Sequence, residues 1–537
     1  MATTYFQRFL VFIISICAIA STAYAESGRT DYDLDDDGLI EINSLADLNE
    51  IRNNLDGTTL YGESTGCPVE GCNGFELTTT LDFDTNADGV MDENDEYWNE
   101  GEGLEPLGVG NDNSFFTAIF DGNGHQILNL YIQKPSTNFV GLFGYARGET
   151  VVIRDFGITG ELMNVNANLS AYVGAFTGVL SEGAVLSDVY STGSVSGSSS
   201  TGGLVGLGYS DSSIINSFST SAVNGGSGSA GGLIGSLSDA FTINNSFFSG
   251  TVNGIYSGGL IGGAYNSYTN HRSSTIKNSF SFGRVAGREG YTGGIIGLAN
   301  PDDVVILNSY WSPDITGQDS GTNEPVSGSY LGATLAELQC PTSSDDTECL
   351  ISHTLYASWD ATVWDFGTNQ ELPGLIINGV VYRDSDGDGA LDINQAPEVT
   401  LVLKQDGDVV PDVIVGAGDV TIEAVITDPD VSDVHTLTWT LSDSSLMGET
   451  DNTSASFSSD NIPDGEYTVA VVATDNRYSP LSDDASITFT VERNASSAPE
   501  NSTSSGSSGG GGALGVFWVL MLSGLMLLRS RRSNIPS

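Results

Sequence analysis

The sequence predicts an all-β protein: a right-handed parallel β-helix followed by an immunoglobulin-like β-sandwich. Three observations carry this reading. A glycine-rich phrase recurs at a near-constant period, as "GGLVG", "GGLIG", "GGLIG" and "GGIIG". No stretch of the repeat carries a helical apolar pattern; short strand-like runs alternate with Gly, Ser and Asn. After Pro397 the spelling changes to longer alternating strands such as "VTIEAVITD" and "GEYTVAVVATD".

The first glycines of the phrase are Gly141, Gly174, Gly203, Gly232, Gly259 and Gly294, spaced by 33, 29, 29, 27 and 35 residues. Periods of this size indicate stacked repeats. One repeat cannot bury an apolar face alone. Coiled into one turn, it brings Leu204 and Val205 beside Leu233 and Ile234 of the next turn. At about 4.8 Å per strand, six coils rise only about 29 Å. Glycines permit the tight corners, and Asn216, Asn245, Asn278 and Asn308 are placed to stack as a hydrogen-bonding ladder. The phrase is therefore a packing instruction. It lacks the Lys-Ser/Thr ending and following helix of a phosphate loop.

The phrases "GGLVG…INSFSTSAV" and "GGLIG…INNSFFSGTV" resemble the GLUG motif of bacterial surface proteins. The flanking "FTAIFDGNGHQILNLYI" and "WDFGTNQELPGL" agree with that resemblance, which covers roughly residues 33–380. It implies architecture rather than activity. Some such proteins are immunoglobulin-A-cleaving metalloproteases with a His-Glu-x-x-His zinc helix. Here His125, His271, His353 and His435 are isolated, so no proteolytic activity is carried over.

Both ends carry targeting signals. Arg8, an apolar run and Ala23-Tyr24-Ala25 form a signal peptide, residues 1–25, with cleavage after Ala25. The Ser/Gly linker 493–512 leads into the apolar "ALGVFWVLMLSGLMLL" and an arginine cluster, residues 513–537. Sixteen apolar residues span about 24 Å as a helix, short of a bilayer core of about 30 Å. This tail resembles the GlyGly-CTERM sorting signal of Gram-negative surface proteins. The resemblance implies cleavage near Gly509–Gly512 by a rhomboid-type intramembrane protease and export by a type II secretion route. A plain, weak transmembrane anchor is the competing reading.

The chain has 17 basic and 69 acidic residues. Losing Arg8, Arg529, Arg531 and Arg532 with the two ends leaves 17 − 4 = 13 basic residues, a net charge of −56. That field repels nucleic acid and anionic lipid and attracts cations. In an oxidising compartment Cys67–Cys72 and Cys340–Cys349 are expected disulfides. Two cysteines alone supply too few ligands for zinc.

Three acidic loops carry the promising ligand chemistry, and their metal is calcium. The first has Asp33, Asp35, Asp37, Gly38 and Glu41. The second has Asp84, Asn86, Asp88, Gly89, Asp92 and Asp95. The third has Asp384, Asp386, Asp388, Gly389 and Asp392. Oxygen ligands at positions 1, 3 and 5 with Gly at 6 suit Ca2+, and position 7 adds a carbonyl. The twelfth position is Ser44, Asp95 or Gln395 rather than Glu, and no helix precedes Asp33. The loops thus resemble dockerin or thrombospondin type 3 loops more than paired EF-hands. A solvated acidic turn is the alternative.

Residues 26–98 are expected to be an N-terminal cap, 99–330 the β-helix, and 331–396 a C-terminal cap with the third loop. Ser44 before "LADLNEIRNNL" reads as an N-cap, with Leu45, Leu48, Ile51 and Leu55 on one face. Thr334 and Glu337 form a capping-box pattern. Residues 397–492 resemble a cadherin-like or PKD-like domain, with Trp439 in its core and Tyr467 at a tyrosine corner. Asp428, Asp430 and Asp475 are read as turn acids.

The function this predicts is a non-enzymatic, calcium-stabilised structural or adhesive protein, cell-surface or secreted, with an extracellular ligand such as a glycan. A carbohydrate-active enzyme is the alternative, with Arg154, Arg272, Arg284 and Arg288 as groove candidates but no recurring acidic partner. A glycan-binding module using Tyr209, Tyr256, Tyr265 and Tyr268 is the third.

Overall fold

The computed structural model describes residues 29–492, except 111–113, 168–170, 266–271, 340–354, 368–370, 385–388, 393–395, 429–434, 444–445, 447–448, 451–452 and 476–480. The signal segment, linker, sorting tail and Cys340–Cys349 pair lie outside the described residues, as do Asp386, Asp388, Gln395, Asp430, His271, His353 and Tyr268. Among the described residues no helix is long and apolar enough to cross a membrane.

The described chain forms two compact units. The first comprises residues up to 400 with 425–438 and 471–485, and the second 401–424, 439–470 and 486 onward. The first unit is a parallel β-solenoid of about six turns. Three six-stranded sheets and one fifteen-stranded sheet run along it. Register pairs Val205 with Ile234, Ile234 with Ile261, and Ile261 with Ile296. The Leu204 amide donates to the Leu233 carbonyl at 2.9 Å. The predicted adjacency of these phrases is what the backbone forms.

The longest interior column belongs to the large sheet. It runs Ile40, Phe75, Phe120, Ile153, Leu186, Ile214, Ile243, Ile276, Ile306, each a register partner of the next. All nine side chains are fully buried. The ladder therefore starts at Leu39–Ile42 and Gly74–Leu77, inside the segment expected to be a cap. Over those rungs sits the helix Leu45–Glu50. Ser44 Oγ caps it by accepting from the Asp47 amide at 3.2 Å, and Leu45 and Leu48 are buried. The helix ends before Ile51, which continues in a 3-10 turn, so Leu55 is not on its face.

Six successive coils turn at an asparagine or aspartate. Asp155, Asp188, Asn216, Asn245, Asn278 and Asn308 all hold left-handed φ between 47° and 63°. Asn and Asp tolerate this region better than other side chains with a Cβ. The bend interrupts backbone pairing, and the following serine repairs it. The Ser217 amide donates to Ser246 Oγ, Ser246 to Ser279 Oγ, and Ser279 to Ser309 Oγ, at 3.1–3.2 Å. These serines are fully buried. The spelling Asn-Ser is thus a corner with its orphan N–H satisfied.

The aromatic that follows builds a second column. Tyr190, Phe218, Phe247 and Phe280 stack with centroids 4.7–5.3 Å apart, and Tyr310 pairs with Phe280 in register. Their cluster is completed by Leu338, Tyr356, Trp359, Trp364, Leu375 and Ile377. The C-terminal segment read as an end cap therefore packs along a flank of the coils. Its capping box at Thr334 and Glu337 forms as expected, and Tyr382 reaches back to Tyr190, hydroxyl to hydroxyl, at 3.1 Å. The last rung is Ser327–Gly332, which pairs with Val304–Trp311.

The second unit holds a core of Leu403, Ile414, Val420, Ile422, Phe457, Tyr467, Val469, Phe489 and others. Five- and four-stranded sheets, mainly antiparallel, follow the solenoid. The Tyr467 hydroxyl donates to the Pro463 carbonyl at 2.8 Å, four residues upstream. Trp439 is only partly buried and packs at the core's margin, not in its centre as expected.

Candidate functional site

The first acidic loop folds over the outer face of Leu39–Ile42. Asp36 at its fourth position and Gly38 at its sixth hold φ of 61° and 90°. This reversal aims amides back at Asp33. The Asp37 amide donates to Asp33 Oδ1 at 3.0 Å, Gly38 to Asp33 Oδ2 at 2.9 Å, and Leu39 to Asp37 Oδ1 at 2.8 Å. Carboxylate oxygens of Asp33, Asp35 and Asp37 come within 4.8 Å of one another. Glu41 is buried beside them. Its Oε1 accepts from the Leu34 amide, while its Oε2 has no hydrogen-bond partner among the described residues. Ser44, at the twelfth position, serves as the helix cap. The Cys67–Cys72 disulfide forms, and both cysteines lie beside Asp33.

The second loop repeats the scaffold. Ala87 and Gly89 hold φ of 56° and 79°. The Asp88 amide donates to Asp84 Oδ1 at 3.2 Å, Gly89 to Asp84 Oδ2 at 2.9 Å, and Val90 to Asp88 Oδ1 at 2.9 Å. Asn86 Oδ1 also accepts from the Asp88 amide. Asp95 is engaged across the loop, accepting from the Thr85 and Asp92 amides. Asp84, Asp88, Asp92 and Asp95 do not form a trio as close as that of the first loop. Of the third loop, Asp384 is buried and accepts from the Gly389 amide at 2.8 Å, and the Asp392 amide donates to the Arg383 carbonyl.

Electrostatics at the first loop disfavour its own charges. Burial, opposed by the Leu39 amide, raises the Asp37 pKa, with Asp35, Asp33 and Asp121 adding repulsion. Burial also raises that of Glu41, with Asp33 adding. Glu76, the register partner of Glu41, is pushed up to about 7 by burial and then by Asp37, Asp35, Glu41 and Asp121. A bound cation would relieve this repulsion and satisfy the buried Glu41 oxygen.

Sequence reasoning missed a row that the register assembles. Glu41, Glu76, Asp121 and Arg154 are successive partners across four strands. Arg154 Nη2 pairs with Asp121 Oδ2 at 2.6 Å, and its Nε lies 3.6 Å from Asp155 Oδ2. Burial, then Asp121 and Asp188, push Asp155 up to about 6. Arg154 thus has acidic partners that the spacing did not reveal. Arg272 likewise pairs with Asp211 at 2.6 Å and Asp239 at 3.5 Å, in solvent. Arg284 is exposed, and Arg288 lies over the Tyr291 ring at 5.1 Å. His125 is remote in sequence from His435, which pairs with Asp428 at 2.7 Å. Tyr209 meets Tyr145, Tyr256 meets Tyr291 edge-on at 5.2 Å, and Tyr265 is exposed.

No family model matches the chain. A stretch of 170 residues, 31% of this chain, is 33% identical to halomucin of Haloquadratum walsbyi and covers 2% of that protein. A stretch of 78 residues, 14% of this chain, is 36% identical to a protein of Evansella cellulosilytica described as a Gly-rich membrane protein, and covers 9% of it. Among solved structures, an IgA1 protease is similar over 55% of this chain and 21% of its own, at 14% identity and a TM-score of 0.36. The chain matches only a small part of the length of these relatives.

Proposed function

We propose that the chain is a non-enzymatic scaffold, exported to the cell surface or the medium, whose solenoid is stiffened by Ca2+ at its N-terminal rungs. The observation that carries the metal is Glu41: a buried carboxylate oxygen with no hydrogen-bond partner among the described residues, beside three carboxylates already drawn together. Asp33, Asp35, Asp37 and Glu41 would hold the ion. Because Glu41 lies within the first strand, the ion would tie loop to ladder. The shared scaffold of the Asp84 and Asp384 loops supports the same use, with Asn86, Asp88, Asp92 and Asp95, and with Asp386, Asp388 and Asp392, as further ligands. Sites of this extracellular kind bind at roughly 0.1–1 mM.

Display at a surface is supported by the signal and sorting-tail spellings, by the GLUG-like phrases, and by local likeness to halomucin and a Gly-rich membrane protein. In this reading a rhomboid-type protease and the type II secretion machinery handle the tail. The domain after the solenoid acts as an immunoglobulin-like spacer, a reading that the Tyr467–Pro463 bond supports. Thermal melting with millimolar Ca2+ and with chelator tests the metal. A rise in melting temperature that Asp35→Ala removes supports it; equal curves remove it.

One observation favours a second reading, a carbohydrate-active enzyme. The pair Asp121–Arg154 with Glu76 and Asp155 beside it is the grouping of acid and cation that such chemistry uses. Release of reducing or unsaturated ends from polysaccharides, abolished by Asp121→Asn, would establish it.

A further inference from the structure

Two of the six-stranded sheets meet at a re-entrant corner. The last glycine of each phrase lies in it: a Cβ on Gly206 would stand 2.5 Å from the Val173 amide nitrogen, and one on Gly235 2.3 Å from that of Thr201. Outward-facing residues of the two sheets consequently meet. Ser200 Oγ and Ser236 Oγ hydrogen-bond at 2.8 Å across the corner, and both are buried. The corner forms a furrow along the axis with a floor of small residues.

Aromatic rings from four rungs line this furrow, the rung of Ser229 and Ser236 contributing none. Phe139 and Tyr172 are register partners whose rings stack at 6.0 Å with planes 8° apart. Tyr145 stands edge-on to Phe139 at 5.4 Å, and its hydroxyl bonds that of Tyr209, two coils further on. Tyr265 leans over Gly263, the next rung's counterpart of Ser236, and is 45% exposed. Tyr172 lies near enough to Tyr265 and Tyr209 that, after burial, these two raise its hydroxyl pKa. Apart from Tyr265 the rings are half-buried. At the edge of this surface Arg147 covers the Phe115 ring at 4.3 Å and pairs with Glu182 at 3.3 Å. The strip is thus locally neutral on a chain of net charge −52.

We propose that the furrow bearing Phe139, Tyr145, Tyr172, Tyr209 and Tyr265 is a docking surface for an uncharged polysaccharide laid along the solenoid axis. Amphipathic rings give a sugar face an apolar contact, and the tyrosine hydroxyls give its rim hydrogen bonds. The charge distribution selects the class. Acidic polymers are repelled by the chain's field, and among its described residues the strip offers no unpaired cation to hold them. This proposal names the extracellular ligand of the scaffold reading and rests on it.

The test is depletion of the full chain onto insoluble cellulose and chitin, with polygalacturonate as the anionic probe, at fixed salt and in millimolar Ca2+. The expected result is retention on at least one uncharged polymer, none on polygalacturonate, and binding about tenfold weaker for Tyr172→Ala/Tyr265→Ala at unchanged melting temperature. Should the double variant fold poorly, Tyr265→Ala alone still lowers retention, because that ring is exposed, and Tyr265→Trp restores it. Retention on neither uncharged polymer, equal retention on polygalacturonate, or undiminished binding of the variants overturns the proposal. Failure here with an intact calcium response removes the docking surface and leaves the scaffold reading standing; retention without a calcium response does the reverse.

Discussion

The side-chain amide of Asn245 donates to Oδ1 of Asn216 at 3.1 Å, one coil away, and Asn278 repeats the bond to Asn245 at 3.2 Å. Asn216 in turn donates to Asp188 at 3.1 Å. From Asp188 to Asn278 the residues that bend the coils therefore also join them to their neighbours. Substituting Asn245→Ala removes two of these bonds and places a plain Cβ at φ 51°. The expected loss is roughly 2–3 kcal/mol of unfolding free energy by urea titration, with Asn245→Asp losing less.

Phe247 lies fully buried between the stacked rings of Phe218 and Phe280, 4.7 and 5.3 Å away. Phe247→Ala opens a cavity beneath the flanking segment as well as within the column. A loss of about 3–5 kcal/mol is expected. Limited proteolysis should show cleavage rising first in the 355–382 region that covers these rings.

At Gly232 a Cβ would sit 2.2 Å from the Gly259 carbonyl oxygen and 2.1 Å from the Phe248 ring. Neither the neighbouring coil's backbone nor a buried ring can yield cheaply. Gly232→Ala is expected to cost about 3 kcal/mol or more and to lower the yield of folded protein, measured by circular dichroism melts. Gly290→Ala, on an open turn, serves as its control for surrounding space.

Glu76 sets a pH dependence. Its ordinary value is 4.5 and its folded value about 7, so the folded state holds the proton more tightly. Below pH 4.5 both states are protonated and nothing is lost. Between pH 4.5 and 7 the unfolded chain ionises first, and stability falls. Above 7 the penalty is complete, roughly 3 kcal/mol. In chelator, Glu76→Gln should be more stable than the native chain by about that amount at pH 8 and equal to it at pH 4. Asp155, raised from 3.8 to about 6, leaves a smaller slope of the same sign in the variant.

Much of the solenoid was legible because its spelling repeats. Gly203, Leu204 and Val205 stand one period from Gly232, Leu233 and Ile234, and equal periods place equal side chains in register. The asparagine ladder follows from the same periodicity as far as Asn278 and stops short of Asn308: Asn278 Oδ1 has no hydrogen-bond partner among the described residues, and Asn308 Oδ1 accepts from Ser329 Oγ at 3.2 Å instead. The row Glu41, Glu76, Asp121, Arg154 was not legible. Its members are 35, 45 and 33 residues apart and share no common spelling, since unequal loops between rungs set their register. The flank cover was misplaced for a related reason. The capping box at Thr334 and Glu337 fixes a helix start, but nothing local says which surface Trp359 and Trp364 meet. The aromatic in "NSF" was the available signal: an apolar residue beyond the corner, one per coil, needs a cover of its own. In the acidic loops the glycine and the alternating oxygens fixed the turn geometry. They placed Glu41 among the ligands but did not show that one of its oxygens is buried in the adjoining strand without a hydrogen-bond partner among the described residues.

Calcium titration of the chelator-treated chain by calorimetry, paired with thermal melting, tests the central claim most directly. The account predicts saturable binding near 0.1–1 mM with a higher melting temperature, and loss of the Asp33 site's share in Asp35→Ala. No binding heat and superimposable melting curves up to 10 mM, roughly ten times the upper affinity bound, would contradict it.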